Sequence, residues 1–177
     1  MDTDADIRAT AHGDHQAFGR VVAVHQGRIF AFLGRMGINR AAADDIAQDT
    51  FLRVWRNAGA FDPDRGGLAT WILTIARNQA LTWLARPNRE TGEIDANTAS
   101  SQPGPDALLC TRQHAARLHA ALALLAPADR SLLAASYFDD LPLADIARIE
   151  GCSPGAAKVR LHRARTRLRH ILETTDV

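Results

Sequence analysis

The chain has 177 residues, of which 46% are hydrophobic and 23% charged, enough for one ordinary domain or two small ones with real cores. A formal net charge of +1 gives no global pull toward nucleic acid, so any such function has to rest on where the charges lie. Cys110 and Cys152 form no close pair, which excludes a zinc ribbon or disulfide framework, and no apolar run nears the roughly 18 residues needed to cross a bilayer.

The segment Met1–His12 is polar and acidic and lacks the basic start and apolar centre of an export signal, so the chain is expected in the cytoplasm. From Asp14 to Met36, Phe18, Val21, Val22, His25, Ile29, Phe32, Leu33 and Met36 recur at steps of three and four. That spacing predicts a helix, with Asp14 as N-cap and Gly37 as stop. A second helix is predicted over residues 40–57, where Ile46, Thr50, Phe51, Val54 and Trp55 populate two adjoining faces.

Asp62-Pro63-Asp64 and Gly66-Gly67 mark a structured loop. A third helix follows over residues 68–85, carried by Trp71, Ile72, Ile75, Gln79 and Trp83 and ended by Pro87. Residues 87–105 then concentrate Pro, Gly, Ser, Thr and Asn around one isolated aliphatic residue, Ile94. Such a stretch buries too little apolar surface to offset its ordering entropy and is expected to be a flexible linker.

Helical spacing resumes after Asp106 through Leu108, Leu109, Leu118, Leu122 and Leu125, with a break at Pro127. Residues 128–138 form a further helix, Asp139-Asp140-Leu141-Pro142 turns the chain, and a short helix covers residues 143–149. No run alternates in the manner of a strand. The fold class is all-α: two small helical domains, residues 1–86 and 106–177, joined by the linker.

The tight turn Glu150-Gly151-Cys152 leads into a long last helix from Ser153, a hydroxyl cap followed by Pro154 at the first helical position. Two helices joined by such a turn make a helix-turn-helix. Ala157, Leu161, Ala164 and Leu168 line the inner face, while Lys158, Arg160, Arg163, Arg165, Arg167 and Arg169 fill the rest. No acidic residue interrupts residues 152–172, so the neutral total conceals a basic helix suited to phosphates and guanine edges in a major groove. Asp45 and Asp49 stand one turn apart, but a catalytic metal site needs further ligands, and no second acidic motif supplies them. Phosphate-loop and nucleophile-elbow motifs are also missing; the expectation is no catalytic residue, cofactor or metal.

The run Asp44-Asp45-Ile46-Ala47-Gln48-Asp49-Thr50-Phe51-Leu52-Arg53-Val54-Trp55-Arg56 resembles part of region 2 of the extracytoplasmic-function sigma factors. Phe61-Asp62-Pro63-Asp64-Arg65 and Thr70-Trp71-Ile72-Leu73-Thr74-Ile75-Ala76-Arg77-Asn78 resemble the later part of that region. Asp145-Ile146-Ala147, then Ser153-Pro154-Gly155 and Lys158-Val159-Arg160-Leu161-His162-Arg163-Ala164-Arg165, resemble their region 4. Three matches in order are far more specific than any one of them.

The resemblance implies a promoter-specificity subunit of RNA polymerase, not an enzyme. Asp45, Gln48, Asp49, Leu52 and Trp55 would dock a coiled coil of the polymerase β′ subunit, with β as a further contact. Arg65, Thr70, Arg77 and Asn78 would read and open the −10 element, the Asn78 amide offering both donor and acceptor to a base. Trp71 and Trp83 suit base stacking and core packing alike. Ser153, Gly155, Ala156, Lys158, Val159, Arg160, His162 and Arg163 would read the −35 element. An anti-sigma partner is implied as well; the rival is a sigma-like decoy that sequesters such a partner without binding DNA. Two departures bear on this reading. Ala156 and Val159 stand where the family often has hydroxyl residues, and Leu68 where a Phe is frequent.

Overall fold

The computed structural model of the chain describes residues 3–86, 116–137 and 141–174. The linker, Asp106, Leu108, Leu109, Cys110 and residues 138–140 of the turn lie outside them. Among the described residues every regular element is helical. The first, α1 (Thr3–Ala11), has no counterpart in the sequence reading. It packs on α2 (His15–Arg35), with Ile7 fully buried and the Asp6 carboxylate held by Arg20 Nη2 at 2.7 Å. That contact raises the Arg20 pKa further above its ordinary value.

Helix α2 starts as read: the Asp14 carboxylate accepts from the Gln16 and Ala17 amides at 2.8 and 3.0 Å. Gly37, at φ 77°, closes it in the left-handed conformation that glycine tolerates, with Ile38 N–H returning to Leu33 O at 3.1 Å. In α3 (Arg40–Arg56) the Asn39 side chain caps the Ala42 amide, and Ala43, Ile46, Thr50, Phe51 and Val54 face inward. The loop after α3 carries two 3₁₀ turns, Ala58–Ala60 and Pro63–Arg65, the second braced by Asp62 Oδ1 accepting from Asp64 N at 3.0 Å. Helix α4 (Leu68–Leu84) buries Leu68, Ile72, Leu73, Ala76, Ala80 and Leu84.

In the second half, residues 116–123 are helical and are termed α5. Pro127 opens α6 (Pro127–Ser136) after the break that follows α5, as suits a residue with no amide hydrogen to leave unpaired. Helix α7 (Leu143–Ile149) and helix α8 (Pro154–Thr174) fall where the sequence places them. Gly151, at φ 63°, makes the turn between them, and Cys152 N–H bonds back to Ala147 O at 3.0 Å.

The two halves are not separate bodies in this structure. One apolar core runs from Ile7, Val21, Ile29 and Phe32 through Leu73 into Leu132, Ile146 and Ile149, and as far as Ala157 of α8. A smaller cluster, Leu122, Leu125, Leu133, Ala164 and Leu168, joins α5 and α6 to the far end of α8. Fully burying a side chain such as Phe32 or Ile149, both almost inaccessible, contributes about 1.5–3 kcal/mol each. The core therefore rewards closure of one half on the other. Polar ties reinforce it: Arg130 Nη1 of α6 donates to Met36 O at 3.2 Å, completing the end of α2 with a cation at its negative pole.

Candidate nucleic-acid interface

Three surfaces bring the sequence-predicted residues together. On α3, inward packing of Ile46, Thr50 and Phe51 turns Asp45, Gln48, Asp49 and Leu52 to solvent along one stripe. Leu52 is 43% exposed, a large apolar side chain held outward among acids. Trp55 departs from that stripe. It is half-buried, stacked on His15 at 4.6 Å and met edge-on by Phe18 at 5.1 Å, so it supports the face more than it presents a free ring.

The second surface is the loop before α4 and the outer side of that helix. Arg65 and Asn78 are exposed, but Thr70 is only 4% accessible, because the inward register of Leu68, Ile72 and Leu73 carries it along. In this conformation Thr70 offers little surface to a direct contact, although it lines the cleft beside this helix. Its carbonyl accepts from Thr74 Oγ1 at 2.8 Å. Trp71 is half-buried against Phe61, ring centroids 5.6 Å apart, and Trp83 also packs partly on the core. Asp62, Asp64, Arg65, Gly66, Thr70, Trp71 and Thr74 line a cleft of about 590 Å³ whose far wall is Arg148 of α7.

Arg77 is not at the surface either; its side chain is 14% exposed. Its guanidinium donates from Nε to Glu150 Oε1 at 3.2 Å and from Nη2 to Glu150 Oε2 at 3.0 Å, and from Nη1 to Asn78 Oδ1 at 3.2 Å. Glu150, fully buried, also accepts from Ser131 Oγ and lies 3.7 Å from Arg160 Nη2. Sequence reading placed Glu150 merely in a turn. The signal that marks it is an acid just before a basic segment and at the C-terminal end of α7, where a negative charge is locally unfavourable and needs a distant partner.

The third surface is α8. Ser153 Oγ accepts from Ala156 N at 3.2 Å, fixing the first turn. Ala157, Ala164 and Leu168 are buried, so Lys158, Val159, His162, Arg163, Arg165 and Arg169 project outward with Ser153, Gly155 and Ala156 at the exposed start. Arg160 is partly withdrawn toward Glu150, and Arg167 is paired with Asp129 at 2.6 Å. Such a face presents cations along one side of a helix, and an α-helix has the width that a major groove admits.

A helical chain with an outward basic helix, an exposed and partly acidic stripe on α3 and a mainly polar cleft beside Trp71 has the features of a protein that contacts nucleic acid and a larger partner. The family model Sigma-70 region 2 matches residues 21–90 and Sigma-70, region 4 matches residues 115–168. The chain is 34% identical over 158 residues to the ECF RNA polymerase sigma factor RpoE of Cereibacter sphaeroides, covering 89% of this chain and 87% of that one. It is 34% identical to the RNA polymerase sigma factor CarQ of Myxococcus xanthus, covering 90% and 91%. Among solved structures, CnrH in complex with the cytosolic domain of CnrY superposes with a TM-score of 0.71 at 25% identity, over 98% and 99% of the two chains. The chain belongs to the extracytoplasmic-function sigma factors of the sigma-70 family. It is therefore a transcription initiation factor that directs core RNA polymerase to promoters, and not an enzyme. No helix among the described residues is long and apolar enough to cross a membrane.

Proposed function

We propose a division of labour in which residues 1–86 bind core polymerase and open the −10 element, residues 87–105 link, and residues 106–177 read the −35 element. The observation that carries this is the register of α8: its buried alanines and Leu168 leave a stretch free of acids, with cations facing out. Lys158, Arg163 and, once released, Arg160 serve phosphates and base edges, while Ser153, Gly155, Ala156, Val159 and His162 set how closely the helix approaches. The exposed stripe Asp45, Gln48, Asp49 and Leu52, backed by Trp55, docks a basic amphipathic coiled coil of β′. Arg65, Arg77 and Asn78 hold the melted −10 strand, with Thr70 shaping the cleft floor.

The partner in its inactive state is an anti-sigma factor. A mainly apolar cleft of about 270 Å³, bounded by Ala31 of α2 and by Leu118, Leu122, Leu133 and Tyr137, offers such a segment contact with both halves. Work on polymerase places the chain in the cytoplasm.

The test is transcription in vitro with core polymerase and genomic templates, with RNA 5′ ends sequenced. Defined start sites that depend on this chain are expected. A decoy would give none while still binding an anti-sigma factor.

A further inference from the structure

We propose that Glu150 is an intramolecular latch, a buried carboxylate of the second half that ties down Arg77 of the first and holds the free chain closed with Arg77 withheld from DNA. The inference rests on the reading above that Arg77 serves the −10 element. Glu150 belongs to the second half, yet its two-point partner is Arg77 of the first. The −10 surface and the recognition helix thus converge on one carboxylate with no exposed area.

Closure also sets a residue of the second half at the cleft. Arg148, held by Asp145 at 2.7 Å, forms its far wall. A Cβ built on Gly66 would lie 3.2 Å from Arg148 Nη1, so the two halves meet within van der Waals range beside Arg65.

The arrangement is releasable because of how the charges are shared. When the halves part, Arg77 leaves with α4, but Glu150 keeps Ser131 and Arg160 on its own half and is newly reached by water. Opening therefore strands no buried charge without a partner. DNA phosphates then offer Arg77 a replacement anion, and polymerase contacts at α3 favour the form in which the halves are apart.

The test compares the free full-length chain with Glu150→Gln, which keeps the side-chain shape and the Ser131 contact but removes the charge, and with Arg77→Gln. Small-angle scattering reads closure, and circular dichroism checks helix content. Binding of a random-sequence single-stranded oligonucleotide reads access to Arg77. Both variants are expected to expand relative to wild type. Glu150→Gln should bind the oligonucleotide about tenfold or more tightly, as follows if the open form is a tenth or less of the wild-type population. Arg77→Gln should expand without that gain. Should Glu150→Gln lose helix content, Arg77→Gln, which leaves the second half's own contacts intact, carries the scattering test. Wild-type dimensions in folded variants overturn the latch. Expansion without tighter oligonucleotide binding instead overturns the assignment of Arg77 to DNA.

Discussion

Arg77 and Glu150, 73 residues apart, form a two-point ion pair that joins the region 2 half of the molecule to the turn of its helix-turn-helix. Each residue looks like an ordinary surface charge along the chain. Their pairing turns two matched family regions into one closed body and sets the terms for what binding to polymerase has to undo.

The docking stripe proposed on α3 carries one large apolar residue, Leu52, which is 43% exposed and outside the core cluster. Leu52→Glu is expected to weaken binding to core polymerase by at least about tenfold, the loss of one central apolar anchor. Its melting temperature should stay near that of wild type. Fluorescence titration against core enzyme beside a thermal melt checks both; equal affinity would remove Leu52 from the interface.

Asn78 is exposed beside Arg77, whose Nη1 donates to the Asn78 Oδ1 at 3.2 Å. Asn78→Ala is expected to slow promoter opening, by an amount matching about 0.5–1.5 kcal/mol for a lost hydrogen bond, while core binding is unchanged. Permanganate reactivity of −10 thymines reports the opening step. A defect in core binding instead would make the residue structural.

Arg163 projects from the outer face of α8. Arg163→Ala is expected to weaken −35-dependent initiation by about 1–3 kcal/mol if it reaches a base edge. Scrambling the −35 element should then cost the variant less than it costs wild type. The two proteins responding equally would assign Arg163 to phosphate alone.

His25 is buried in α2, and burial, with Arg28 close by, lowers its pKa below the ordinary value. The folded state thus binds its proton less well than the unfolded state. This contribution to stability is fully present above about pH 6.5 and is lost as the pH falls toward the folded-state pKa, by no more than about 1.4 kcal/mol per pH unit for one proton. Urea unfolding of wild type and His25→Leu between pH 7.5 and 5 should show the steeper decline in wild type, within about that limit.

Arg130 donates across the halves to the last carbonyl region of α2. Arg130→Met retains most of the apolar stem and is expected to lower unfolding free energy by about 1.5–3 kcal/mol, as for hydrogen bonds to charged groups. Urea denaturation measures it; an unchanged midpoint would mean that water replaces the guanidinium there.

Much of this architecture is legible in the sequence because its causes are local. Asp14, Gly37, Gly151, Ser153 and Pro154 act within a few residues of themselves, and the apolar spacing of α2 and α8 projects directly onto buried faces, whereas in α4 Trp71, Ile75, Gln79 and Trp83 are half-buried and Leu68, Leu73, Ala76, Ala80 and Leu84 join Ile72 inside. Helix α1 escaped because nine residues with Ile7 as the one large apolar side chain give no readable period. The burial of Thr70 follows from a register shared with Leu68 and Leu73, while its residue type suggests solvent. What local pattern cannot reveal is Arg77 meeting Glu150 or Arg130 meeting Met36, since those pairs join positions 73 and 94 apart.

The Met36–Arg130 contact also bears on how such proteins can be recombined. The end of one half's helix is finished by a side chain that the other half supplies. A chimaera that grafts another relative's region 4 onto this region 2 inherits an unfinished helix end unless the graft carries a matching donor. The two regions are thus less interchangeable than their separate family matches suggest, and they have to vary as a pair.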